Sequence, residues 1–479
     1  MVLKTREEYI ESLKKIKPTV YILGEKVDRV WDNLLFQSSI NHGAKTYDFS
    51  FDEKYKHLSV VHSPLVNEPV RRLNLHIQTS MEDAIIKARL TREVTSQRIC
   101  TWCTSNTLSI VWAATYDTDQ KYNTSYHKRF IEYMKYLQRN DIMPAWGMMD
   151  PKGDRRLKPS QQEPFTDLRI VERNDEGIVV RGAKVHTSFG PVSEEILVVP
   201  CRSLTEDDKD FAVSFAVPTD TKGVIFIARP APGPRQPRDM ERPISSAIGG
   251  VEAMTVFDDV FVPWERVFLC GEWDMCDRVP NYFASIHRQS KCACLSGHTD
   301  LILGVCALTA QVNGLDMKVP HIRDKLTKMM MEAEIAYGCA LGAAVDGYQH
   351  PSGVWVPNAL IANSGLNYIR SQAGNHIATL HDIAGGIIVT MPTELDYQNP
   401  ATKGYMDTYL HGSNNFTTEE RLRVLHLAQE ICASEFTGYF MGWAINAAGS
   451  PMTNEIFVRA LYDLDKRINV AKNYAKIKK

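Results

Sequence analysis

The chain contains no run of eighteen or more apolar residues, the length that a membrane-crossing helix requires. Its first stretch, MVLKTREEYIESLKKIK, is charged from the outset and has no apolar core of a secretory signal. Net charge is nearly absent too: 55 Lys and Arg against 57 Asp and Glu leave −2, whereas a nucleic-acid scaffold carries a basic excess. Internal repeats and low-complexity tracts are also missing. These absences make the expectation a soluble cytoplasmic protein with neither nucleic acid nor membrane as a partner. Without a secretion signal, the ten cysteines are expected to be reduced thiols or ligands rather than disulfides.

What is present suffices for two or three packed units, at 479 residues. The first stretch, 1–145, reads mainly as helix, and FIEYMKYL at 130–137 has the spacing of an amphipathic helix. From about 146 the pattern changes. LRIVERNDEGIVVRGAKV (168–185) reads as two strands around Asp175, Glu176 and Gly177, and EEILVVP, FAVSFAVP, GVIFIARP and MTVFDDVFVP follow as further strands. The Pro-rich segment 229–243 interrupts them as an irregular loop. Helix returns over 279–479. There Ile322, Leu326, Met329, Ala333, Ala336 and Ala340 mark one buried face, the Met cluster reads as core filler, and Thr418 caps a helix that begins in TTEERLRVL. The domains expected are therefore 1–145 (helical), 146–278 (β) and 279–479 (a helical bundle), an α+β chain.

Two short segments carry chemistry. RICTWC holds Cys100 and Cys103, and HRQSKCAC holds His287 and Cys294. On helices, positions three or seven apart share a face, so each pair aims at one centre if its segment is helical. Three soft thiolates and an imidazole suit an iron–sulfur cluster or zinc. Four ordinary buried residues are the competing reading, since free Cys packs as a small hydrophobe.

The order of segments, and the words in them, resemble the 4-hydroxyphenylacetate 3-hydroxylase / 4-hydroxybutyryl-CoA dehydratase superfamily of flavoproteins. The resemblance runs through REEYIESL, TYDTDQKYNTSYHKRFIEYMKYLQ, DPKGDR, GIVVRGAKVH, FDDVFVPWERVFLC, HRQS, DIAGGIIVTMP and AAGSP. It implies an acyl-CoA dehydrogenase-like fold with an N-terminal helical domain, a central β-barrel-like domain and a C-terminal helical bundle, assembled as a homotetramer. For the dehydratase branch it further implies FAD and a [4Fe–4S] cluster held by Cys100, Cys103, His287 and Cys294, with a hydroxyacyl-CoA as substrate and isomerase activity alongside. The branch spaces its early thiols Cx3C where this chain has CxxC, which leaves Cys292 as an alternative ligand to Cys100.

The resemblance also implies flavin contacts at Met148, Met149, Asp150, Pro151, Lys152, Gly153, Asp154 and Arg155, at His186, Thr187 and Ser188, and at Asp382, Ile383, Ala384, Gly385 and Gly386. No G-x-G-x-x-G fingerprint is present, so FAD would bind by this other route. Glu252 matches the general base, and His287 and Lys291 are the further catalytic candidates. Three departures accompany these matches. Lys291 stands where the dehydratases have Tyr, Leu295 where they have Lys, and Gly442 or Trp443 where they have a C-terminal Glu. The hydroxylase branch, a reduced-flavin aromatic monooxygenase, holds its phenol with Arg, Tyr and His, where this chain has Cys103, Thr107 and Trp146. A non-catalytic flavin-binding paralog is the third expectation.

Overall fold

Residues 3–100, 104–233, 238 and 240–477 are described by a computed structural model. Helices come first, then two sheets, then a helical bundle, as the hydrophobic periods require. The amphipathic segment at 130–137 lies within the helix Tyr126–Arg139, which buries Phe130, Tyr133, Met134 and Leu137. These positions follow the i, i+3, i+4, i+7 stripe of a helix that packs on one side only.

The expected hairpin is Arg169–Arg173 paired antiparallel with Gly177–Lys184. It ends a six-stranded sheet whose spatial order is Glu25–Val27, Thr19–Ile22, Val224–Arg229, Glu252–Pro263, Gly177–Lys184, Arg169–Arg173. The first two strands come from the stretch read as mainly helical. Thr19–Ile22 runs parallel to Val224–Arg229, and Leu23 and Gly24, both at positive φ, turn the chain back. A β-rich TVYI before a left-handed turn was the available signal.

Val267–Cys270, Val213–Pro218, Glu195–Val198 and Ala145–Gly147 form a second, four-stranded sheet. The two sheets face each other, with Phe215 edge-on to Phe257 at 5.5 Å. Among the described residues neither sheet closes on itself, so the barrel-like part of the expectation finds no support here. Val198, Phe215, Val217, Phe257 and Val260, all buried, fill the layer between them, the arrangement of a sandwich rather than of one curled sheet.

In the bundle, Arg288–Val312 packs against both Pro320–Val345 and Ala359–Ala384. The face expected on Pro320–Val345 is buried at all six positions. Of its methionines only Met329 is core, because Met330 and Met331 are 42% and 56% exposed. Thr417 rather than Thr418 caps the helix Thr418–Cys432, through a box with Glu420. The stretch Trp273–Val312 is long and apolar enough to cross a membrane, but 67% of its most apolar window is buried inside the protein. Packing explains its apolarity. In the Pro-rich segment, 234–237 and 239 lie outside the described residues, and 230–233 are irregular.

Candidate functional site

The helix Met81–Ser96 stops just before Arg98, whose φ of +64° is one a long side chain keeps only where its surroundings hold it. The chain reaches Cys100 without helix, and the next helix begins at Thr104. Cys103, the other thiol of that segment, lies outside the described residues. Cys100 is positioned by His42 instead. Its backbone N–H donates to His42 Nε2 at 2.7 Å, and His42 Nδ1 donates to the Gly249 carbonyl at 3.1 Å. That pattern requires the neutral imidazole, and burial holds His42 down at about 4.

The second segment arrives on the long bundle helix. A π-helical turn, Phe283–His287, precedes Arg288–Val312, and such turns concentrate at functional sites. Gly297 lets this helix lie directly on Met81–Ser96, since a Cβ there would fall 2.2 Å from Thr95 Oγ1. Thr95 then donates its hydroxyl to the Cys294 carbonyl at 3.1 Å. Cys100 and Cys294 consequently line one cavity of about 20 Å³, with Lys87, Asn106 and Ser290. The Cys294 thiol is pushed up to about 11 by burial, opposed by Lys291.

Asn106 connects this cavity to His287. Its amide lies 3.4 Å from His287 Nδ1 and its carbonyl accepts from the Ser290 hydroxyl at 3.1 Å. The imidazole stacks on Phe283 at 4.5 Å and lies 5.7 Å from Trp146. Burial first, then the Lys291 charge, hold it well below its ordinary pKa, so it is neutral and keeps a lone pair for a metal. Cys292 is turned away, its thiol donating to the Ala362 carbonyl at 3.2 Å; two residues along a helix rotate it to the far side from Cys294. Among the described residues no three His, Cys, Asp or Glu are close enough to hold a metal ion. The donors nearest that task are Cys100 and Cys294, with His287 behind Asn106, and their softness fits a thiolate-bound centre.

Glu252 opens the strand Glu252–Pro263 and turns its carboxyl inward rather than to solvent. It accepts from Ser188 Oγ at 2.7 Å and from the Tyr439 hydroxyl at 3.0 Å. Burial raises its pKa above the usual glutamate value against those two bonds. Gly250 admits the tyrosine, because a Cβ there would lie 2.8 Å from its hydroxyl. Tyr439 stands on the helix Glu435–Asn446, whose Phe436, Phe440 and Trp443 surround the Arg98 guanidinium at 4.7, 4.7 and 5.8 Å. Trp443 also carries Lys291, whose Nζ sits 2.8 Å from the ring centroid. The helix Glu435–Asn446 thus presents Tyr439 to Glu252 and, one turn further on, Trp443 to Lys291.

The two β-domain segments expected to meet flavin are neighbours. Val185 N–H donates to the Met149 carbonyl at 2.8 Å, and Lys152 lies close enough to His186 to lower its pKa, after burial. Lys152 and Gly153 both take positive φ, folding Pro151–Arg155 over Gln162, which bonds Asp154 on its backbone N–H and carbonyl. Arg155 is exposed. Asp150 is committed elsewhere, buried and paired with Lys184 at 2.6 Å, and Met148 offers its carbonyl to the same lysine. Thr187 is buried and accepts a hydrogen bond from Thr255 at 2.9 Å. The third segment stands apart. Asp382 pairs with Lys325 on the bundle surface, Ile383 and Ala384 are buried, and Gly385, at φ +74°, ends their helix ahead of Gly386.

Sequence reasoning missed His42, Arg98, Tyr439 and His298, whose Nδ1 accepts from Arg98 Nη1 at 3.0 Å. Only Tyr439 left a trace: Phe436, Tyr439, Phe440 and Trp443 fall at i, i+3, i+4 and i+7.

Comparisons with known proteins agree with this architecture. The family model for the 4-hydroxyphenylacetate 3-hydroxylase N terminus matches residues 5–269, and that for its C terminus matches 276–476. The 4-hydroxybutyryl-CoA dehydratase/vinylacetyl-CoA-Delta-isomerase of Clostridium aminobutyricum is 36% identical over 100% of both chains. The 4-hydroxyphenylacetate 3-monooxygenase oxygenase component of Thermus thermophilus is 26% identical over 90% of this chain and 89% of its own. An oxygen-tolerant archaeal 4-hydroxybutyryl-CoA dehydratase from N. maritimus superposes with a TM-score of 0.93 at 30% identity, covering 100% of this chain and 96% of the other. With both halves matched and full-length identity above 30%, the chain belongs to the 4-hydroxyphenylacetate 3-hydroxylase family.

Proposed function

We propose that this protein is an FAD- and [4Fe–4S]-dependent dehydratase of the 4-hydroxybutyryl-CoA dehydratase type, acting on a hydroxyacyl-CoA and working as a homotetramer. One observation carries the reading: Cys100 and Cys294 line the same buried cavity, and Asn106 joins it to a neutral His287. The full-length likeness to a dehydratase supports it. Cys100, Cys103, Cys294 and His287 would hold the cluster, and Lys152, Arg155 and residues 186–188 would meet the flavin. When bound, these groups supply one-electron transfer and a Lewis acid for a departing hydroxyl.

Loss of water from a hydroxyacyl thioester needs a base for a C–H proton and a donor for the leaving hydroxyl. Glu252 is the base. Its carboxylate is aimed by Ser188 and Tyr439, and burial moves its pKa toward the working range. Lys291, one helical turn before Leu295, is the proton donor in place of the lysine the resembling enzymes carry there. His287 serves as ligand, its proton affinity being suppressed by burial and by Lys291.

The monooxygenase reading is weaker. Trp146 packs its indole beside His287 and Thr107 is buried, so a phenol would lack its polar handles, and such a site discriminates poorly. A non-catalytic paralog is favoured only by the missing acid at Gly442 and Trp443. Protein purified without oxygen decides among the three. The dehydratase reading expects iron, sulfide and FAD together, with conversion of 4-hydroxybutyryl-CoA or a related hydroxyacyl-CoA. FAD without iron, with reduced-flavin hydroxylation of a phenol, would establish the monooxygenase. Flavin with no turnover of either substrate class would establish the paralog.

A further inference from the structure

The strands Val224–Arg229 and Glu252–Pro263 are antiparallel neighbours whose ends meet at Arg229 and Glu252, a geometry that a turn of about two residues closes. The chain instead runs through residues 230–251 before it returns. Irregular connections of that length inside a compact domain are usually functional. The described part from Met240 onward lies against the C-terminal bundle. Glu394 accepts from the backbone N–H groups of Met240 and Glu241 at 2.9 and 3.2 Å. Glu430, on the helix Thr418–Cys432, accepts from those of Ile244 and Ser245 at 2.7 and 2.8 Å, one on each carboxylate oxygen. The segment then meets the helix Leu34–Asp48, where the Gly249 N–H donates to the Ser38 carbonyl and the Val251 N–H to the Ser39 hydroxyl. It ends in Glu252.

Glu430 has a second attachment. Its own carbonyl accepts from the Ser434 hydroxyl at 2.6 Å and from the Thr437 hydroxyl at 3.3 Å. Ser434 in turn caps the helix Glu435–Asn446, accepting from the Phe436 N–H at 3.1 Å, and that helix carries Tyr439. One residue therefore holds the segment that ends in Glu252 by its side chain and the helix of Tyr439 by its backbone. The Glu430 carboxylate is 1% exposed and forms no ion pair among the described residues. A buried carboxylate is costly unless it is well bonded, and charge-assisted bonds this short are the strong kind.

We propose that Glu430 is a positioning residue that sets the approach of Glu252 to Tyr439, acting through the backbone of residues 244–251. The inference rests on the reading of Glu252 as the reaction's base and needs no metal centre. Its consequence is the proton affinity of Glu252, because the hydrogen bond from Tyr439 favours the ionised carboxylate. Without Glu430 that bond is lost and Glu252 keeps its proton to higher pH. Removing the Glu430 charge acts directly in the opposite sense, since a like charge taken away makes a carboxyl easier to ionise. The sign of the change thus separates position from charge. The other groups around the pair are Arg229, opposite Glu252 on the neighbouring strand, and Arg98 and Cys100, which act on Tyr439. Arg242 and Arg98 act on Glu430.

The test is a pH titration of full-length protein by infrared spectroscopy, following the C=O stretch of protonated carboxyl groups. The Glu252 band is identified by its absence in Glu252→Gln. Wild type is compared with Glu430→Ala, Glu430→Gln, Tyr439→Phe and the double variant of Glu430→Ala with Tyr439→Phe. The Glu252 midpoint is expected to rise in Glu430→Ala by about one pH unit, the size that loss of one hydrogen bond to a charged group gives. Glu430→Gln, which keeps one acceptor oxygen, is expected to give a smaller rise. The double variant is expected to titrate as Tyr439→Phe does, with no further shift. If Glu430→Ala fails to fold, Glu430→Gln and its double variant with Tyr439→Phe carry the same comparison. A midpoint that stays or falls in the Glu430 variants overturns the inference, as do shifts that add in the double variant. Turnover of 4-hydroxybutyryl-CoA tests the base separately. A fully active Glu252→Gln overturns the base and this inference with it, whereas a Glu252 midpoint indifferent to Glu430 overturns the positioning role alone.

Discussion

Lys184 and Arg98 both carry positive charge into the interior, but they keep different company. Lys184 is surrounded by acceptors: Asp150 at 2.6 Å and the carbonyls of Met148 and Val199 at 3.1 and 3.2 Å. Arg71 is balanced in the same way, by Asp141 at 2.7 Å and the face of Tyr47 at 3.7 Å. Arg98 faces a neutral imidazole and three aromatic rings. Paired cations of the first kind fix a fold, since each has its counter-charge within the chain. The second arrangement gives the guanidinium no carboxylate partner among the described residues. A buried charge network that closes on itself is structural, whereas one that stays open identifies a binding site.

The hardest blow to the closed network is Asp150→Ala. It leaves the Lys184 ammonium with two carbonyls and no carboxylate, and breaking a buried pair on one side costs about 3–5 kcal/mol. Denaturant unfolding followed by far-UV circular dichroism would register that loss. A change below about 1 kcal/mol would mean that water reaches the lysine and that the network is not closed. Arg98→Met, which neutralises a charge of the open kind, is expected to leave the stability of cluster-free protein equal or higher. Opposite signs for these two variants are what the comparison requires.

Glu252 is the acidic counterpart of Arg98, a carboxyl held by two hydroxyls and in no ion pair among the described residues. Glu252→Gln keeps its shape and removes its basicity. Dehydratase turnover is expected to fall about 10²- to 10⁴-fold. Because the base works deprotonated and burial raises its pKa, wild-type rate should climb with pH through a value above the ordinary glutamate range. Tyr439→Phe, by removing a bond to the carboxylate, should move that rise to still higher pH. A rate that is flat with pH, or a fully active Glu252→Gln, would remove Glu252 from the chemistry.

His42 separates the regions by acid stability. Its folded pKa of about 4 lies below the ordinary 6.5, so the unfolded chain binds the proton first as pH falls. Its contribution is complete above about pH 6.5 and is lost progressively toward pH 4, a decline of about 3 kcal/mol from this one group. Protonation also turns Nε2 from acceptor to donor, against the Cys100 N–H that it now receives. His42→Phe should flatten this part of the stability curve. An equally steep acid limb in that variant would assign the effect to other groups.

Much of this architecture was legible because it depends on hydrophobic period. The strands Val224–Arg229 and Glu252–Pro263, the helix Tyr126–Arg139 and the buried face of Pro320–Val345 follow from one-sided burial, whereas Glu195–Val198 and Val213–Pro218, buried on both faces, read as short apolar runs. Thr19–Ile22 escaped because four residues are too few to establish a period before the turn at Leu23 and Gly24. In the site, Cys100 and Cys294 could be found as soft donors, but no local pattern showed that a left-handed Arg98 and the hydrogen bond from the Cys100 N–H to His42 decide where Cys100 sits. His42 is 58 residues from Cys100 in the chain, and no local pattern encodes that meeting. The chemistry was written in residue types, its electrostatics in long-range contacts.

The smallest effect concerns the contact between Lys291 and Trp443, in the stretch where Gly442 or Trp443 is expected at the place of the dehydratases' acid. An acid there would pair with Lys291 as Asp150 pairs with Lys184. The indole instead holds the Lys291 ammonium by its face, 2.8 Å from the centroid, an interaction worth about 0.5–2 kcal/mol. A double-mutant cycle of Lys291→Met and Trp443→Phe, read by denaturant unfolding, should return a coupling energy in that range. The same variants separate structure from chemistry. Lys291→Met is expected to abolish turnover, while Trp443→Phe, which keeps an aromatic face, should weaken stability slightly and leave most of the rate. Coupling near zero would mean that the contact adds nothing, and a turnover loss as deep in Trp443→Phe as in Lys291→Met would make the ring, rather than the ammonium, the group the reaction depends on.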